Sequence, residues 1–222
     1  IEELKIARCE LIKNGGSFLN IDKLHCTLNN GLEMDREKIS KAFSDKSASI
    51  VMPITHDNNT ILVVQPRLST LEGIGVELPA GYIDPGEDAK TGALRELREE
   101  TGYVPDEMIY LDKFYQDQAC GVRAYNYGFL ANGCSKKYDQ DLDENEYLKY
   151  FECSVDEAYE LINLGYINDV QSKYVMSCAK EYIKKYNSIE NGYNKISAAT
   201  TFIEDKPFAR SERDIIRKLN SI

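Results

Sequence analysis

Three glutamates close together in the chain are the first residues whose types and spacing could support chemistry. Glu96, Glu99 and Glu100 lie in the segment 88–101, which starts with an acidic residue and is rich in alanine and leucine. This composition predicts a helix from Asp88 that ends before Gly102, because glycine readily adopts the left-handed conformation found past helix ends. At about 100° per residue, the three carboxylates fall within an arc of about 100° on one helix face.

Like charges at this spacing weaken a helix by a few tenths of a kcal/mol per pair, and a hard divalent cation bound by oxygen ligands would offset that cost. The simpler interpretation is a solvated acidic face on which Arg95 pairs with Glu99. Seven fixed residues surround and include these glutamates, and a chance match to a pattern of seven such positions has a probability of about one in a hundred million per starting position. Those positions are Gly81, Glu87, Arg95, Glu96, Glu99, Glu100 and Gly102.

This pattern resembles the box of the Nudix hydrolases, and every fixed position of that box is filled. The final position, usually aliphatic, is Tyr103, whose ring can fill the same packing role. From about residue 17 to about residue 185, the chain resembles the ADP-ribose pyrophosphatase branch of the family. The supporting segments are Phe18 to Glu37, Gln65-x-Arg67, the lead-in Glu77-Leu78-Pro79-Ala80-Gly81 and the acidic loop Leu142 to Glu146. The chain departs from that branch at Cys120-Gly121, where a Pro-Gly pair is usual.

The resemblance implies a binding site for two or three Mg²⁺ ions, with Mn²⁺ as the alternative. Glu96 and Glu100 match the principal metal ligands, Glu99 matches an assisting ligand, and the carbonyl of Ala80 matches a backbone ligand. The remaining box residues match structural positions, and two of them orient the glutamates. These structural positions are Gly81, Glu87, Arg95 and Gly102.

The resemblance also assigns roles outside the box. Glu146, with Glu144 as the rival, matches a general base or an additional metal ligand in the acidic loop, and Glu99 is a further catalytic candidate. The simpler interpretation of the loop pair is a set of solvated charges. The candidate substrate contacts are Arg67 for a phosphate, with Arg36 and Gln65.

Three functions remain open at this point. The first is hydrolysis of ADP-ribose to AMP and ribose 5-phosphate, which the resemblance favours. The second is the same cleavage of another nucleotide sugar or dinucleotide, such as GDP-mannose. The third is a binding module with a Nudix fold and no catalysis, against which the complete box argues.

The predicted fold class is α+β, a Nudix α/β/α sandwich with a mixed sheet and a small N-terminal antiparallel β appendage. Residues 1–45 form the predicted appendage, residues 46–186 the hydrolase domain, and residues 187–222 a C-terminal extension of unknown role. In the branch that this chain resembles, the appendage is exchanged between two subunits and helps to form the nucleobase pocket. The resemblance therefore implies a homodimer.

Local patterns predict the individual elements. The predicted appendage strands are Leu4–Ile12, Phe18–Leu28 and Leu32–Ile39, with a turn at Asn29-Asn30-Gly31 because Asn and Gly tolerate positive φ. Segments 41–47, 68–75, 132–141 and 187–199 have the composition of connectors. The other predicted strands and helices are strands 49–55, 61–65, 108–116, 125–131 and 147–153, a helix from the capping box at Ser154 to Leu164, and a helix 169–185.

Composition excludes several classes of function. The net charge is −10 and no basic stripe is present, so we expect no nucleic-acid polymer as a partner. No apolar run approaches the about 20 residues of a membrane span. The six cysteines have no C-x-x-C spacing, so we expect no zinc site and a reducing, cytoplasmic environment.

Overall fold

The computed structural model describes Lys5 and residues 18–41, 46–68, 70, 73–117 and 122–190, with only the backbone for 122, 123 and 186–190. Ten strands and three helices lie in this part of the chain. The strands are β1 (Leu19–Thr27), β2 (Glu33–Lys41), β3 (Ala48–Thr55), β4 (Asn59–Pro66), β5 (Ile74–Glu77), β6 (Ala80–Tyr82), β7 (Tyr103–Val104), β8 (Glu107–Asp117), β9 (Val122–Lys136) and β10 (Lys149–Ser154). The helices are α1 (Ala89–Thr101), α2 (Val155–Asn163) and α3 (Val170–Glu190).

An eight-stranded mixed sheet forms the centre of the protein, with the strand order β10–β4–β3–β9–β7. Strand β5 pairs with β4, β6 pairs with β3, and β8 pairs with β9. Strands β3 and β9 are parallel, and their other neighbours are antiparallel. Strands β1 and β2 form a separate antiparallel sheet. The mixed sheet and the antiparallel N-terminal appendage are therefore confirmed.

Helices cover both faces of the central sheet, and alternate residues of β3 show this arrangement. Ile50 and Met52 belong to the core cluster that contains α2 and α3, whereas Val51 belongs to the cluster that contains Ala93 and Leu97 of α1. Every residue of β3 is buried, as expected for a strand covered on both faces. The predicted three-layer sandwich is confirmed.

Helix α1 forms because its two ends carry strong local signals. The side chain of Asp88 caps the first turn by accepting hydrogen bonds from the backbone of Lys90 and Thr91. At the other end, Gly102 adopts φ +75° and donates its N–H to the carbonyl of Arg98. The predicted helix is confirmed, with Asp88 as its cap rather than its first residue.

Two further local predictions are confirmed. The turn between β1 and β2 is closed by a bond from the Gly31 N–H to the Leu28 carbonyl, and Gly31 has φ +83°. Helix α2 begins with the predicted capping box, in which Ser154 and Glu157 satisfy each other's backbone N–H groups.

Some predicted boundaries are wrong because strand pairing overrides local composition. Strand β9 continues through the predicted connector 132–141 as far as Lys136, where it pairs with β7, and Gly133 absorbs a register shift with φ +67°. Strand β5 begins at Ile74, inside the predicted connector 68–75, because it pairs with β4. Lys41 belongs to β2 rather than to a connector. Helix α3 continues past the predicted end at Lys185 to Glu190, through part of the predicted connector 187–199.

Several predictions fall outside the described residues. These are the strand Leu4–Ile12 (apart from Lys5), the departure at Cys120-Gly121 and the extension beyond Glu190. In the described part of the chain, no helix is long and apolar enough to cross a membrane. The cysteines described there, Cys26, Cys134, Cys153 and Cys178, are free thiols.

Gly102 provides a test of the helix end. A Cβ atom at Gly102 would overlap the carbonyl oxygen of Tyr138, so Gly102→Ala should combine left-handed strain with a steric clash. We expect the free energy of unfolding to fall by about 2–5 kcal/mol in urea denaturation. Gly86→Ala is the matched control, since Gly86 has φ +87° and nothing within 4 Å of the added atom. It should lose only about 1–2 kcal/mol, and equal losses in the two variants would contradict the steric argument.

Candidate active site

The box residues meet at one end of a cavity of about 590 Å³ between α1, β6, the loop 141–146 and the start of α3. A volume of this size lies in the range of small-molecule sites. Of the residues predicted from the sequence, most line this cavity. They are Gln65, Arg67, Ala80, Gly81, Arg95, Glu96, Glu99, Glu100 and Glu146.

Arg95 holds the acidic residues of the box together. Its Nε and Nη2 atoms donate to the carboxylate of Glu87 at 3.1 and 3.0 Å. Its Nη1 atom donates to Glu96 at 2.7 Å and to Glu99 at 3.1 Å, and Nη2 also donates to the Tyr82 carbonyl at 2.9 Å. Arg95 therefore joins β6, the turn before α1 and the acidic face of α1, rather than pairing with Glu99 alone.

The carboxylates of the box differ in their burial and in the direction in which their pKa values are shifted. Glu100 is 1% exposed, and one of its oxygens accepts the backbone N–H of Ala80 at 3.0 Å. Burial raises the pKa of Glu100 well above its usual value, and the neighbouring Glu96 carboxylate raises it further. Burial also raises the pKa of Glu96 to about 7, although Arg95 opposes that shift. Hydrogen bonding to Arg95 lowers the pKa of Glu87.

The absence of a side chain at Gly81 makes room for Glu96. A Cβ atom at Gly81 would overlap the carboxyl group of Glu96. Gly81 lies in β6, opposite Ser49 of β3. The carboxyl group of Glu96, which comes from α1, occupies the space that a side chain at Gly81 would fill. A larger residue at this box position would displace the Glu96 carboxyl group from its place over β6.

The acidic loop reaches the site through contacts with the C-terminal end of α1. The backbone N–H groups of Lys137 and Tyr138 donate to the Gly102 carbonyl at 2.9 and 3.1 Å. Asp141 N–H donates to the Glu99 carbonyl at 2.9 Å. Glu146 is half-buried and lines the cavity, whereas its neighbour Glu144 is exposed and does not. The two rival bases thus differ in position.

The donors at this end of the cavity fit a hard divalent cation. Carboxylate and carbonyl oxygens are the ligands that Mg²⁺ prefers. The raised pKa values of Glu96 and Glu100 reflect burial and also repulsion by neighbouring carboxylates, which a cation would relieve. In the described ranges, no three His, Cys, Asp or Glu side chains are already arranged to hold a metal. Glu96 and Glu99 accept hydrogen bonds from Arg95, and Glu100 accepts one from the Ala80 N–H.

Of the three predicted substrate contacts, two line the cavity and one does not. Arg67 and Gln65 line the cavity, and both donate to Glu77. Arg36 is exposed on β2, away from the cavity in this chain, and donates to the carbonyl of Asp35 at 2.8 Å.

Several residues that line the cavity are not among those predicted from the sequence. Most of them are polar or charged, and they are Lys41, Lys46, Glu77, Tyr82, Gln116, Asp141, Asp143, Asp169, Gln171 and Ser172. Glu77 stands in the lead-in motif and Asp143 in the acidic loop, so a signal existed for these two. Lys41 and Lys46 both lie in the predicted connector 41–47, and only folding brings both ammonium groups within 6 Å of the Tyr82 ring.

Comparison with known proteins identifies the family. The profile described as NUDIX domain matches residues 45–175. The methanol dehydrogenase activator of Bacillus methanolicus is 36% identical over 145 residues, which cover 65% of this chain and 75% of that protein. The ADP-ribose pyrophosphatase of Bacillus subtilis (strain 168) is 29% identical over 177 residues, which cover 79% of this chain and 91% of that protein. A crystal structure of an ADP compounds hydrolase shares the fold with a TM-score of 0.65, at 21% identity, covering 82% of this chain and 91% of that one.

Proposed function

This chain belongs to the Nudix family of hydrolases, and we propose that it hydrolyses ADP-ribose to AMP and ribose 5-phosphate with the help of bound Mg²⁺ or Mn²⁺. The observation that carries the proposal is the cluster of carboxylates around Arg95 at one end of a 590 Å³ cavity. Arg67, Lys41 and Lys46 line the same cavity and supply positive charge for a pyrophosphate.

Glu96, Glu99, Glu100 and the carbonyl of Ala80 are the proposed metal ligands, with two or three ions in the site. When bound, such ions neutralise phosphate oxygens and lower the pKa of coordinated water. Arg95 then keeps the carboxylates of α1 in position through its bonds to Glu87 and Tyr82. Removing the charge of Arg95 would leave these partly buried carboxylates without the guanidinium that pairs with them.

Glu146 is the proposed general base. A carboxylate oxygen of Glu146 accepts a proton from the attacking water as the water oxygen bonds to phosphorus. The bond from that phosphorus to the bridging oxygen then breaks, and the bridging oxygen leaves with the second phosphate. Arg67 donates to a phosphate oxygen, as expected for a planar guanidinium beside an anion.

ADP-ribose is the proposed substrate because two lines of similarity agree. The ADP-ribose pyrophosphatase of Bacillus subtilis is matched over 91% of its length, and the yeast ADP-ribose pyrophosphatase is 34% identical over 135 residues. Another nucleotide sugar or a dinucleotide would meet the same carboxylates and Arg67. The residues that contact the base and sugar therefore decide between these substrates.

We further propose a reducing, cytoplasmic location. Cys134 and Cys153 are buried in the core as free thiols, and burial raises the pKa of Cys134 to about 12. Buried, protonated thiols behave as small core residues, and free cysteines are typical of reducing compartments, in which disulfides rarely form.

A substrate panel tests the function directly. Purified protein should release AMP and ribose 5-phosphate from ADP-ribose in the presence of Mg²⁺ or Mn²⁺, with products identified by chromatography. GDP-mannose and a dinucleotide serve as the competing substrates, and excess EDTA should abolish hydrolysis until metal is restored. Full activity in EDTA, or no cleavage of any nucleoside diphosphate derivative, would refute the proposal.

Substitution of the acidic loop tests the base. Glu146→Gln should lower kcat about 10²–10⁴-fold with a smaller effect on KM. Glu144→Gln is the matched control, and its kcat should stay within a few-fold of wild type because Glu144 is exposed and outside the cavity. Thermal melts of both variants check folding. A large loss in Glu144→Gln with a normal Glu146→Gln would reverse the assignment.

Assembly as a homodimer is proposed from the appendage. Leu19, Ile21 and Leu32 are 52%, 70% and 63% exposed on or beside a two-stranded sheet, and such a sheet is marginal alone. A second subunit would cover these side chains. Light scattering should give about twice the chain mass of 25.2 kDa, and Ile21→Glu should shift the protein toward the monomer. A wild-type monomer at micromolar concentration would contradict the proposal.

A further inference from the structure

The side chain of Arg67 is held in place by a neighbouring glutamate. Arg67 Nε donates to Glu77 Oε1 at 2.6 Å, and Arg67 Nη2 donates to Glu77 Oε2 at 2.6 Å. Gln65 Nε2 makes a longer bond of 3.3 Å to the same carboxylate. Two parallel bonds between planar groups fix the orientation of the guanidinium as well as its position. Among the described residues, no group accepts a hydrogen bond from Arg67 Nη1.

The register of β4 and β5 explains how the two side chains meet. Gln65 pairs with Gly75, and Val63 pairs with Glu77. Gly75 and Glu77 are two residues apart on one strand, so their side-chain positions share a face of the sheet. Arg67 follows the end of β4 and extends across the position of Gly75 to reach Glu77.

Gly75 leaves the space that this contact occupies. A Cβ atom at Gly75 would overlap Glu77 Oε1 and come within 2.8 Å of Arg67 Cγ. Gly75 is not among the glycines with positive φ, so its backbone conformation suits any residue. Glycine is therefore needed here for the space above the sheet and not for its backbone freedom.

Arg67 and Glu77 also lie in the wall of the cavity, where their charges can act on a ligand. Glu77 and Arg67 both line the cavity, and the side chain of Glu77 is 13% exposed against 44% for Arg67. The bond to Glu77 raises the pKa of Arg67 above its usual value. Arg67 is thus the more accessible partner, and its charge faces the cavity that also contains Glu100 and Asp169.

We propose that Glu77 and Gly75 are positioning residues, which hold the guanidinium of Arg67 so that Nη1 meets a phosphate oxygen of the substrate. This inference rests on the proposed function, because it takes the ligand of Arg67 to be a phosphate of a nucleoside diphosphate derivative. Glu77 does not contact the reacting atoms. It acts through Arg67, and Gly75 acts by leaving room for both side chains.

A double-mutant cycle tests the inference. Steady-state kinetics on ADP-ribose with Mg²⁺ would compare wild type, Glu77→Ala, Gly75→Ala and the double variant. Each single change should raise KM about tenfold or more, with kcat within a few-fold, because one charge-assisted contact to the phosphate is lost. The double variant should be little worse than Glu77→Ala, since both changes disrupt the same contact and Arg67, released from Glu77, can move away from the added methyl group.

Two further variants separate positioning from general stability. Glu77→Gln keeps the shape and one acceptor oxygen, so its KM should lie between wild type and Glu77→Ala. Glu152→Ala is the matched control, because Glu152 is a strand glutamate that accepts bonds from Asn59 and Tyr103 outside the cavity. Its KM should not change. Thermal melts on all variants show whether a rise in KM follows a loss of folding.

Three results would overturn the inference. A lower KM in Glu77→Ala would mean that Glu77 competes with the phosphate for Arg67. Multiplying losses in the double variant would mean that the two residues act independently. An unchanged KM in both single variants would remove any role in binding.

Calorimetry keeps this test separate from the proposed function. If wild type cleaves no nucleoside diphosphate derivative, the proposed function fails. Titration of AMP into the same proteins still measures whether Arg67, as positioned by Glu77 and Gly75, binds a phosphate. AMP should bind wild type about tenfold more tightly than Glu77→Ala or Gly75→Ala. Equal affinities, or no binding of AMP to wild type, would overturn the inference on its own.

Discussion

The candidate site depends on one electrostatic constraint, which is the crowding of carboxylates around a single guanidinium. Arg95 bonds to Glu87, Glu96 and Glu99 and to the carbonyl of Tyr82. These bonds raise the pKa of Arg95, chiefly through Glu87. A helix face with this much like charge would otherwise repel itself. Arg95 therefore offsets the repulsion on the acidic face of α1, and its bond to the Tyr82 carbonyl ties that face to β6.

The residue that ends α1 also anchors the segment that leads to Glu146. Gly102 ends the helix in the left-handed conformation, and its carbonyl then accepts two N–H groups of the following loop. A third bond joins Asp141 to the Glu99 carbonyl, and Gln140 donates to the Glu100 carbonyl at 2.7 Å. The loop that carries Glu146 is thus bonded directly to the helix that carries the box glutamates, which relates two segments that are far apart in sequence.

Positively charged side chains that line the same cavity complement these carboxylates. Arg67 is oriented by Glu77, and burial lowers the pKa of Lys41 from its usual value. Lys41 also donates to Gln116, which in turn donates to Asn126 at 2.9 Å. Cations that are themselves held by hydrogen bonds lose less side-chain freedom when an anion binds. The cavity therefore combines oxygen donors for a metal with oriented cations for phosphates.

The sequence alone determined the helix of the box, the glycine that ends it and the family to which the chain belongs, because these depend on residues within a few positions of one another. Helix α2 followed from its capping box for the same reason. The tertiary structure decided which carboxylates are buried, so that Glu100 became enclosed while Glu144 stayed in solvent. It also decided the length of β9 and the pairing of Arg67 with Glu77. These features depend on partners brought from distant parts of the chain, and burial and strand pairing are properties of those partners rather than of the local sequence.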